Sequence, residues 1–196
     1  MTKPRVTKKD LITAEKYVAA ALKALGLSSD EQPDPELDLG DTPRRVAKMW
    51  VEFTASLGGS PPPISTFEAK HNQMMLLRDI DFTSLCSHHL LPFRGKAHIG
   101  YIPNGKVVGI SKPARFVQWF ARQPQTQEKL TAEIAEYFNA KVGATGVGVV
   151  MVAEHTCLSC RGAASPNAKF VTSKLLGCFM ERVVREEFMG LIRMEV

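Results

Sequence analysis

Two short segments hold two of the four cysteines and three of the five histidines in this sequence. Cys86–His89 reads Cys-Ser-His-His, and His155–Cys157, much further along the chain, reads His-Thr-Cys. A thiolate and an imidazole three residues apart, as in Cys86 and His89, can bind one metal ion, and Cys157 can supply a third ligand. Three protein ligands with one open position are typical of a catalytic zinc site, where water or substrate takes the fourth place.

Cys160 leaves a second arrangement open, because it forms a Cys-x-x-Cys pair with Cys157. Four protein ligands would make a closed site with three cysteines and one histidine, which is typical of structural zinc, and spacing alone does not decide between the two. Disulfide bonds are a further alternative. The basic, polar start of the chain lacks a signal-peptide pattern, so we expect a reducing, cytoplasmic compartment in which such cysteines are more often ligands.

The neighbouring histidines are predicted to differ in role. If their segment is extended, successive side chains alternate between faces, so His89 would bind the metal while His88 points towards a substrate. His155 lies two residues before Cys157, so an extended backbone would direct both into one pocket. A single Cys or His is about as often a core residue as a ligand, and the clustering is what favours a site.

Composition and charge limit the classes of partner. A chain of 196 residues that is 44% hydrophobic can bury a core, and no apolar run is long enough to span a bilayer, so we expect no membrane partner. The net charge of +5 favours anionic ligands such as a nucleotide triphosphate. The basic residues are scattered or lie in the N-terminal tail, and no repeated aromatic platform is present, so we expect no nucleic-acid partner.

The first 63 residues are predicted to form a basic tail followed by a helical region. A proline-rich bend then separates this region from the rest of the chain. The predicted segments are a disordered tail (1–9), a helix (10–25) with Asp10 as a possible N-cap, a loop (28–40), and a second helix starting at Asp41-Thr42-Pro43, where a capping residue precedes proline.

Residues 64–196 are predicted to form the catalytic domain, with an antiparallel sheet and helices on one face, which is an α+β arrangement. Pro124 breaks or kinks the helical stretch 112–140, so this stretch is either two helices or one kinked helix. The predicted strands cover 74–77, 81–86, 96–102, 106–110, 146–153 and 169–172, and a last helix covers 174–191.

Several segments of the chain resemble, in the same order, the signatures of one enzyme family. They are Asp41–Met49, Cys86–Pro103, Gly109–Arg115, Gln123–Thr131 and His155–Gly162, and the longest begins Cys-Ser-His-His-Leu-Leu-Pro-Phe-Arg-Gly. The family that they resemble is GTP cyclohydrolase I, and the resemblance runs from about residue 41 to the C-terminus.

The resemblance implies a tunnelling fold, in which each subunit supplies an antiparallel sheet with two long helices on one face, preceded by N-terminal helices. Subunits of such proteins join their sheets into a barrel ring, and two rings stack into a homodecamer. The resemblance also implies that GTP is converted to 7,8-dihydroneopterin triphosphate with release of formate. This reaction is the first step of pterin and tetrahydrofolate biosynthesis.

The resemblance also assigns roles to residues whose motif matches. It implies that Cys86, His89 and Cys157 bind zinc (Zn2+), that Cys160 has a packing role, and that His88 and His155 transfer protons. The residues expected to bind GTP are Glu128 on the guanine edge with Gln127 beside it, Lys112, Arg115 and Arg161 on the triphosphate, Ser111 on ribose or phosphate, and Ile110.

Three departures from the family pattern leave these residues intact. Ser87 stands where Glu is usual, Phe170 stands where Thr is usual, and Met180–Val184 is shorter and more apolar than usual. One alternative function is a non-catalytic, zinc-stabilised oligomer that binds nucleotide or nucleic acid, although binding alone does not need two proton-transfer histidines. Another is a related tunnelling-fold enzyme acting on pterins or deazapurines, against which Glu128 and the cationic residues favour GTP.

Overall fold

The computed structural model of the chain describes residues 6–27 and 39–194. These residues belong to two compact units, Met1–Gly59 and Ser60–Val196. The domain boundary expected after residue 63 stays a prediction. Within the described ranges, no helix is both long and apolar enough to cross a membrane.

The first helix of the N-terminal unit, α1 (Lys8–Ala24), starts earlier than predicted because its N-cap is Thr7 and not Asp10. The Thr7 hydroxyl accepts a hydrogen bond from the Asp10 N–H (3.2 Å), and the Asp10 carboxylate accepts one from the Thr7 N–H (2.9 Å). This reciprocal pair is a capping box, which satisfies two of the free N–H groups at the helix start. Of the predicted disordered tail, residues 1–5 lie outside the described residues.

The second helix, α2 (Thr42–Phe53), starts where it was predicted but without the predicted cap. The Asp41 carboxylate contacts the Arg44 guanidinium (2.6 Å), which holds the pKa of Asp41 below its ordinary value, and it makes no capping hydrogen bond. Pro43 fits the first turn because its missing N–H has no helical partner to lose there. Positions 28–38 of the predicted loop lie outside the described residues.

The second unit is built on a five-stranded sheet with a two-stranded sheet beside it. Its strands are β1 (Thr66–Glu68), β2 (Met75–Cys86), β3 (Pro92–Ile102), β4 (Lys106–Val108), β5 (Pro124–Gln125), β6 (Gly146–His155) and β7 (Phe170–Gly177). The larger sheet has the order β5-β2-β3-β6-β7, and β1 pairs with β4. The β5–β2 pairing is parallel and the other pairings are antiparallel, so the sheet is mixed and not wholly antiparallel as predicted.

The two strands predicted at 74–77 and 81–86 form the single strand β2. A bulge at Arg78-Asp79 shifts its register against β3, and Asp79 has a φ of 59°. An extra residue in one strand breaks the inside–outside alternation. The sequence pattern therefore looked like two separate strands.

The predicted last helix, 174–191, was wrong at its start. Residues 174–177 continue β7, where Lys174 pairs with Val149 and Leu176 pairs with Val147 of β6. A short 3-10 turn (Cys178–Met180) follows, and α6 (Arg182–Arg193) begins only then.

Two long helices cover one face of the sheet, as predicted. The stretch 112–140 is two helices, α3 (Ser111–Ala121) and α4 (Gln127–Val142), because Pro124 and Gln125 between them extend as β5. The core between helices and sheet contains Ala97, Ile99, Phe116, Phe120, Leu130, Ile134, Phe138, Val147, Val149 and Met151. This α+β architecture is consistent with the expected tunnelling fold, and the barrel ring stays a prediction.

The opposite face of the sheet is covered at one end by α6. The rings of Phe179 and Phe188 pack there in an edge-on pair, with centroids 5.2 Å apart. Gly148 allows this approach, because a Cβ at that position would lie 2.4 Å from the Phe179 ring. Helices therefore pack on both faces of the sheet, α3 and α4 on one and α6 on the other.

Candidate metal centre and cleft

A tight turn after β2 brings the first two candidate ligands together. β2 ends at Cys86, whose carbonyl accepts hydrogen bonds from the N–H groups of His89 (3.4 Å) and Leu90 (2.8 Å). The turn places Cys86 Sγ 3.8 Å from His89 Nδ1. The segment is therefore a turn and not extended, so the alternation of side chains does not apply to it. Both His88 and His89 line the same cleft.

The third candidate ligand arrives from the end of β6. This strand ends at His155, and a single helical turn, α5 (Thr156–Ser159), follows and carries Cys157. The Thr156 hydroxyl donates to the Pro92 carbonyl (2.6 Å) and so ties α5 to the start of β3. The backbone at Cys157 is helical and not extended, but Cys157 and His155 still line one cleft, as predicted.

Cys86, His89 and Cys157 form the one group of this size among the described residues that could hold a metal ion. One ligand atom from each lies within 4.8 Å of the other two. Two thiols and one imidazole are donors that zinc accepts, and three donors leave one coordination position open. Cys160 lies outside the group, because its thiol is exposed and donates to the Thr156 carbonyl, so its expected packing role was wrong.

The Cys157 side chain keeps its thiol proton to a higher pH than a free cysteine does. Burial raises its pKa, and the neighbouring Cys86 acts in the same direction, while the Arg161 guanidinium opposes them. A metal ion binds the thiolate and not the thiol, so metal binding at this site must release a proton.

His155 lines the cleft and contacts two aromatic rings and a buried glutamine. Its ring stacks on Phe93, with centroids 4.5 Å apart and planes inclined by 5°, and the Phe170 ring meets it edge-on at 5.7 Å. Its Nε2 lies 2.9 Å from Gln127 Oε1. Burial lowers the pKa of His155, and the Glu128 carboxylate partly opposes this shift, so the neutral imidazole is favoured.

The start of α4 supplies the polar edge of the cleft. Thr126 is the N-cap, since its hydroxyl accepts from the Lys129 N–H (3.3 Å). Gln127 and Glu128 follow in the first turn, where the positive end of the helix dipole stabilises a carboxylate. The Gln127 side chain is buried, whereas Glu128 is exposed.

The cleft has a volume of about 270 Å³ and combines predicted with unpredicted residues. Its lining consists of Cys86, His88, His89, Thr126, Gln127, Glu128, His155, Cys157, Leu158, Ala168 and Phe170. The stacking of Phe93 on His155 was missed from the sequence. Their register as facing residues of β3 and β6 would have revealed it, because opposed side chains on neighbouring strands lie on the same face.

The remaining expected substrate residues do not line this cleft. Ile110, Ser111, Lys112 and Arg115 lie at the start of α3, where Ile110 is 80% exposed and Arg115 borders a separate hollow. Arg161 is exposed just after α5, near enough to Cys157 to affect its pKa. One chain therefore brings together the metal group, both histidines and Glu128, but not the residues at the start of α3.

The fold and the site define a candidate metalloenzyme of the α+β class with an open cleft. Comparison with known proteins is more specific, because the family model for GTP cyclohydrolase I matches residues 14–193. The chain belongs to the GTP cyclohydrolase I family and is an enzyme.

Curated relatives agree with this family. The GTP cyclohydrolase 1 of Sulfurihydrogenibium sp. is 48% identical over 91% of this chain and 92% of its own. That of Aquifex aeolicus is also 48% identical, over 83% of this chain and 88% of its own. A crystal structure of an archaeosine synthase QueF-like protein in the apo form is 18% identical with a TM-score of 0.47, over 55% of this chain and 97% of its own, which is too weak a likeness to carry an argument.

Proposed function

We propose that this protein uses zinc to hydrolyse GTP at guanine C8, with ring opening, formate release and rearrangement to 7,8-dihydroneopterin triphosphate. The observation that carries the proposal is one cleft containing the Cys86, His89 and Cys157 group, two histidines and a helix-start carboxylate. Membership of the family and the names of the relatives support the same reaction. The product would begin pterin and tetrahydrofolate biosynthesis.

Guanine recognition is proposed for Glu128. A carboxylate can accept two hydrogen bonds at once, one from guanine N1–H and one from the 2-amino group, whereas adenine has no matching pair of donors. The side chain is exposed at the rim of the cleft, where a base can reach it. Turnover of GTP, ITP and ATP tests this role: ITP, which lacks the 2-amino group, should be poorer than GTP, and ATP should be inert. Equal turnover of GTP and ATP would contradict the assignment.

Hydrolysis at C8 needs a strong nucleophile and at least one acid. Zinc bound by the three ligands would lower the pKa of water to about 7 and so supply the nucleophile at neutral pH. His88 and His155 are proposed to move protons, since histidine titrates near neutrality and both side chains line the cleft. Breaking a C8–N bond leaves an electron pair on the ring nitrogen, and a proton from one of these histidines would neutralise it.

The triphosphate is proposed to be bound by Lys112, Arg115 and Arg161, with Ser111 and Ile110 contacting the nucleotide beside them. Fixed positive charge is required there, and arginine offers two parallel hydrogen bonds to phosphate. Support for a contribution by a neighbouring subunit comes from the start of α3, which lies outside the cleft of its own chain.

We propose that the chain forms a ring, and that two stacked rings make a homodecamer with active sites between subunits. Support comes from β7, an edge strand of the sheet, on which Phe170 and Val171 are exposed. Open edges with apolar side chains tend to pair with another chain, and ring closure removes them. Light scattering should give a mass near ten chains, and a stable, active monomer would contradict this arrangement. No nucleic acid or membrane partner is part of the proposal.

A further inference from the structure

The side-chain amide of Gln127 makes four polar contacts, and all four are with other groups of the protein. Its Nε2 lies 3.1 Å from the Met151 carbonyl, 3.1 Å from the Phe170 carbonyl and 3.0 Å from Thr172 Oγ1. Its Oε1 lies 2.9 Å from His155 Nε2. The Gln127 side chain is fully buried, so its amide lies in the protein interior next to His155.

The two carbonyl groups determine which way the amide of Gln127 points. A backbone carbonyl can only accept a hydrogen bond, so the atom facing Met151 and Phe170 must be the NH2 group. Rotating the amide by 180° would place its oxygen against both carbonyl oxygens in the protein interior. The amide oxygen therefore faces His155, and because that oxygen can only accept, the hydrogen of the contact belongs to His155 Nε2.

Two threonines hold the amide of Gln127 in this orientation. Thr131 Oγ1 lies 2.7 Å from the Gln127 backbone carbonyl, and that bond uses its only hydrogen. Thr172 Oγ1, at 2.6 Å from Thr131 Oγ1, must therefore donate to it and accept from Gln127 Nε2. The two hydrogens of the Gln127 NH2 group are shared among three acceptors, the Met151 and Phe170 carbonyls and Thr172 Oγ1. These contacts join α4 to β6 and β7.

We propose that Gln127 is a positioning residue that holds neutral His155 in the tautomer with hydrogen on Nε2, so that His155 exchanges its catalytic proton through Nδ1. Nδ1 has no hydrogen-bond partner among the described residues and is not sealed from solvent. The stack on Phe93 and the edge of Phe170 keep the ring from turning over. The role of the proton rests on the proposed function, whereas the tautomer does not.

The same hydrogen bond then serves both protonation states of His155. When the imidazolium protonates a departing ring nitrogen, its Nδ1–H bond breaks, an N–H bond forms on the substrate, and the neutral ring keeps its hydrogen on Nε2. Taking a proton back at Nδ1 reverses this change. Gln127 accepts from Nε2–H throughout, so no tautomer change has to precede either transfer.

The tautomer can be measured directly in the wild-type protein. Solid-state NMR of sedimented protein labelled with 15N only in histidine distinguishes protonated from unprotonated ring nitrogens, and His155→Asn identifies the signals of this residue. The spectrum is recorded well above the ordinary pKa of histidine, with and without zinc. We expect Nε2 protonated and Nδ1 unprotonated, and the reverse pattern would overturn the proposal. The expected pattern in a protein that leaves GTP intact would contradict only the proposed function.

A matched pair of variants tests the positioning role. Gln127→Met removes the acceptor while keeping the length of the side chain, and Gln125→Met alters a second buried glutamine whose amide donates to the Phe120 carbonyl and does not contact His155. In Gln127→Met we expect mixed His155 tautomers, unchanged zinc content, a nearly unchanged KM, and a kcat lower by about 10- to 100-fold, the scale for losing a partner that orients a functional histidine.

Gln125→Met should keep the His155 signals and the kcat of the wild type. A Gln127→Met protein that retains the single Nε2–H tautomer and normal kcat would overturn the positioning role. If Gln127→Met does not fold, the wild-type spectrum still decides the tautomer. Thr172→Val then tests whether Thr172 helps to hold the Gln127 amide. We expect a minor population of His155 with its hydrogen on Nδ1 in this variant. A spectrum identical to that of the wild type would count against the role of Thr172.

Discussion

Replacing Cys157 by serine removes one of the three donor atoms that lie within 4.8 Å of one another. The remaining pair, Cys86 and His89, comes from a single turn and cannot enclose an ion between two segments. Losing only an outer hydrogen-bond partner of a metal ligand already costs about 10- to 100-fold in affinity, so losing a ligand should exceed about 100-fold. We expect zinc content to fall from about one ion per chain to nearly none in Cys157→Ser, since the site has three ligands.

Cys160→Ser is the matched control for this prediction. Its thiol is exposed and donates to the Thr156 carbonyl, a bond that a serine hydroxyl can also make. After dialysis against a weak chelator, zinc by mass spectrometry and protein by amino-acid analysis should give wild-type content for this variant. Equal loss in both variants would mean a closed four-ligand site and refute the open site, and retention in both would refute the ligand set.

Three further predictions test the carboxylate, a buried histidine and the proton-transfer pair. Glu128→Gln should lower kcat/KM for GTP by about 100-fold or more, because the amide accepts one guanine hydrogen bond and opposes the other with its own donor. Glu136→Gln, further along the same helix, should have no effect. Normal turnover by Glu128→Gln would show that guanine is bound elsewhere. Burial lowers the pKa of His98, so the unfolded chain binds more protons and the unfolding temperature should fall as pH drops below the ordinary histidine pKa. In His98→Asn, whose amide oxygen can still accept from the backbone N–H at the β2 bulge, that fall should be smaller, and an unchanged slope would contradict the assignment. His88→Ala and His155→Ala should each retain zinc and lose about 100-fold or more in kcat, the scale for a general acid or base, and loss of zinc from either would make that histidine a ligand.

The parts of the fold that the sequence predicted best are those whose pattern depends on burial alone. The apolar run at 146–153 predicted most of β6 because that strand is buried along nearly its whole length. The pattern was misleading at Asp79, where a bulge resets the alternation, and at 174–177, where pairing with β6 decides the conformation. Neither effect is local, so neither can be derived from a short window of sequence.

The site shows the same difference between what a local pattern predicts and what long-range contacts decide. Residue type and spacing predicted Cys86, His89 and Cys157 as ligands but left Cys160 open, and the family resemblance selected the set of three. The structure brings the donor atoms of these three residues together. The predicted strand ended at Cys86, and an extended segment was considered for His88 and His89. The structure has a turn there, closed by its own backbone hydrogen bonds. The hydrogen bonds of Gln127 could not be predicted from the sequence, since the partners come from β6, β7 and α4.

The most direct test of the proposed reaction is the fate of guanine C8. Zinc-loaded protein is incubated with GTP labelled at C8, and labelled formate is measured together with the pterin fluorescence that appears after oxidation. The account predicts one formate for each pterin formed, no reaction after zinc is removed, and recovery when zinc is returned. Fully zinc-loaded protein that leaves GTP unchanged, or consumes it without releasing labelled formate, would contradict the account.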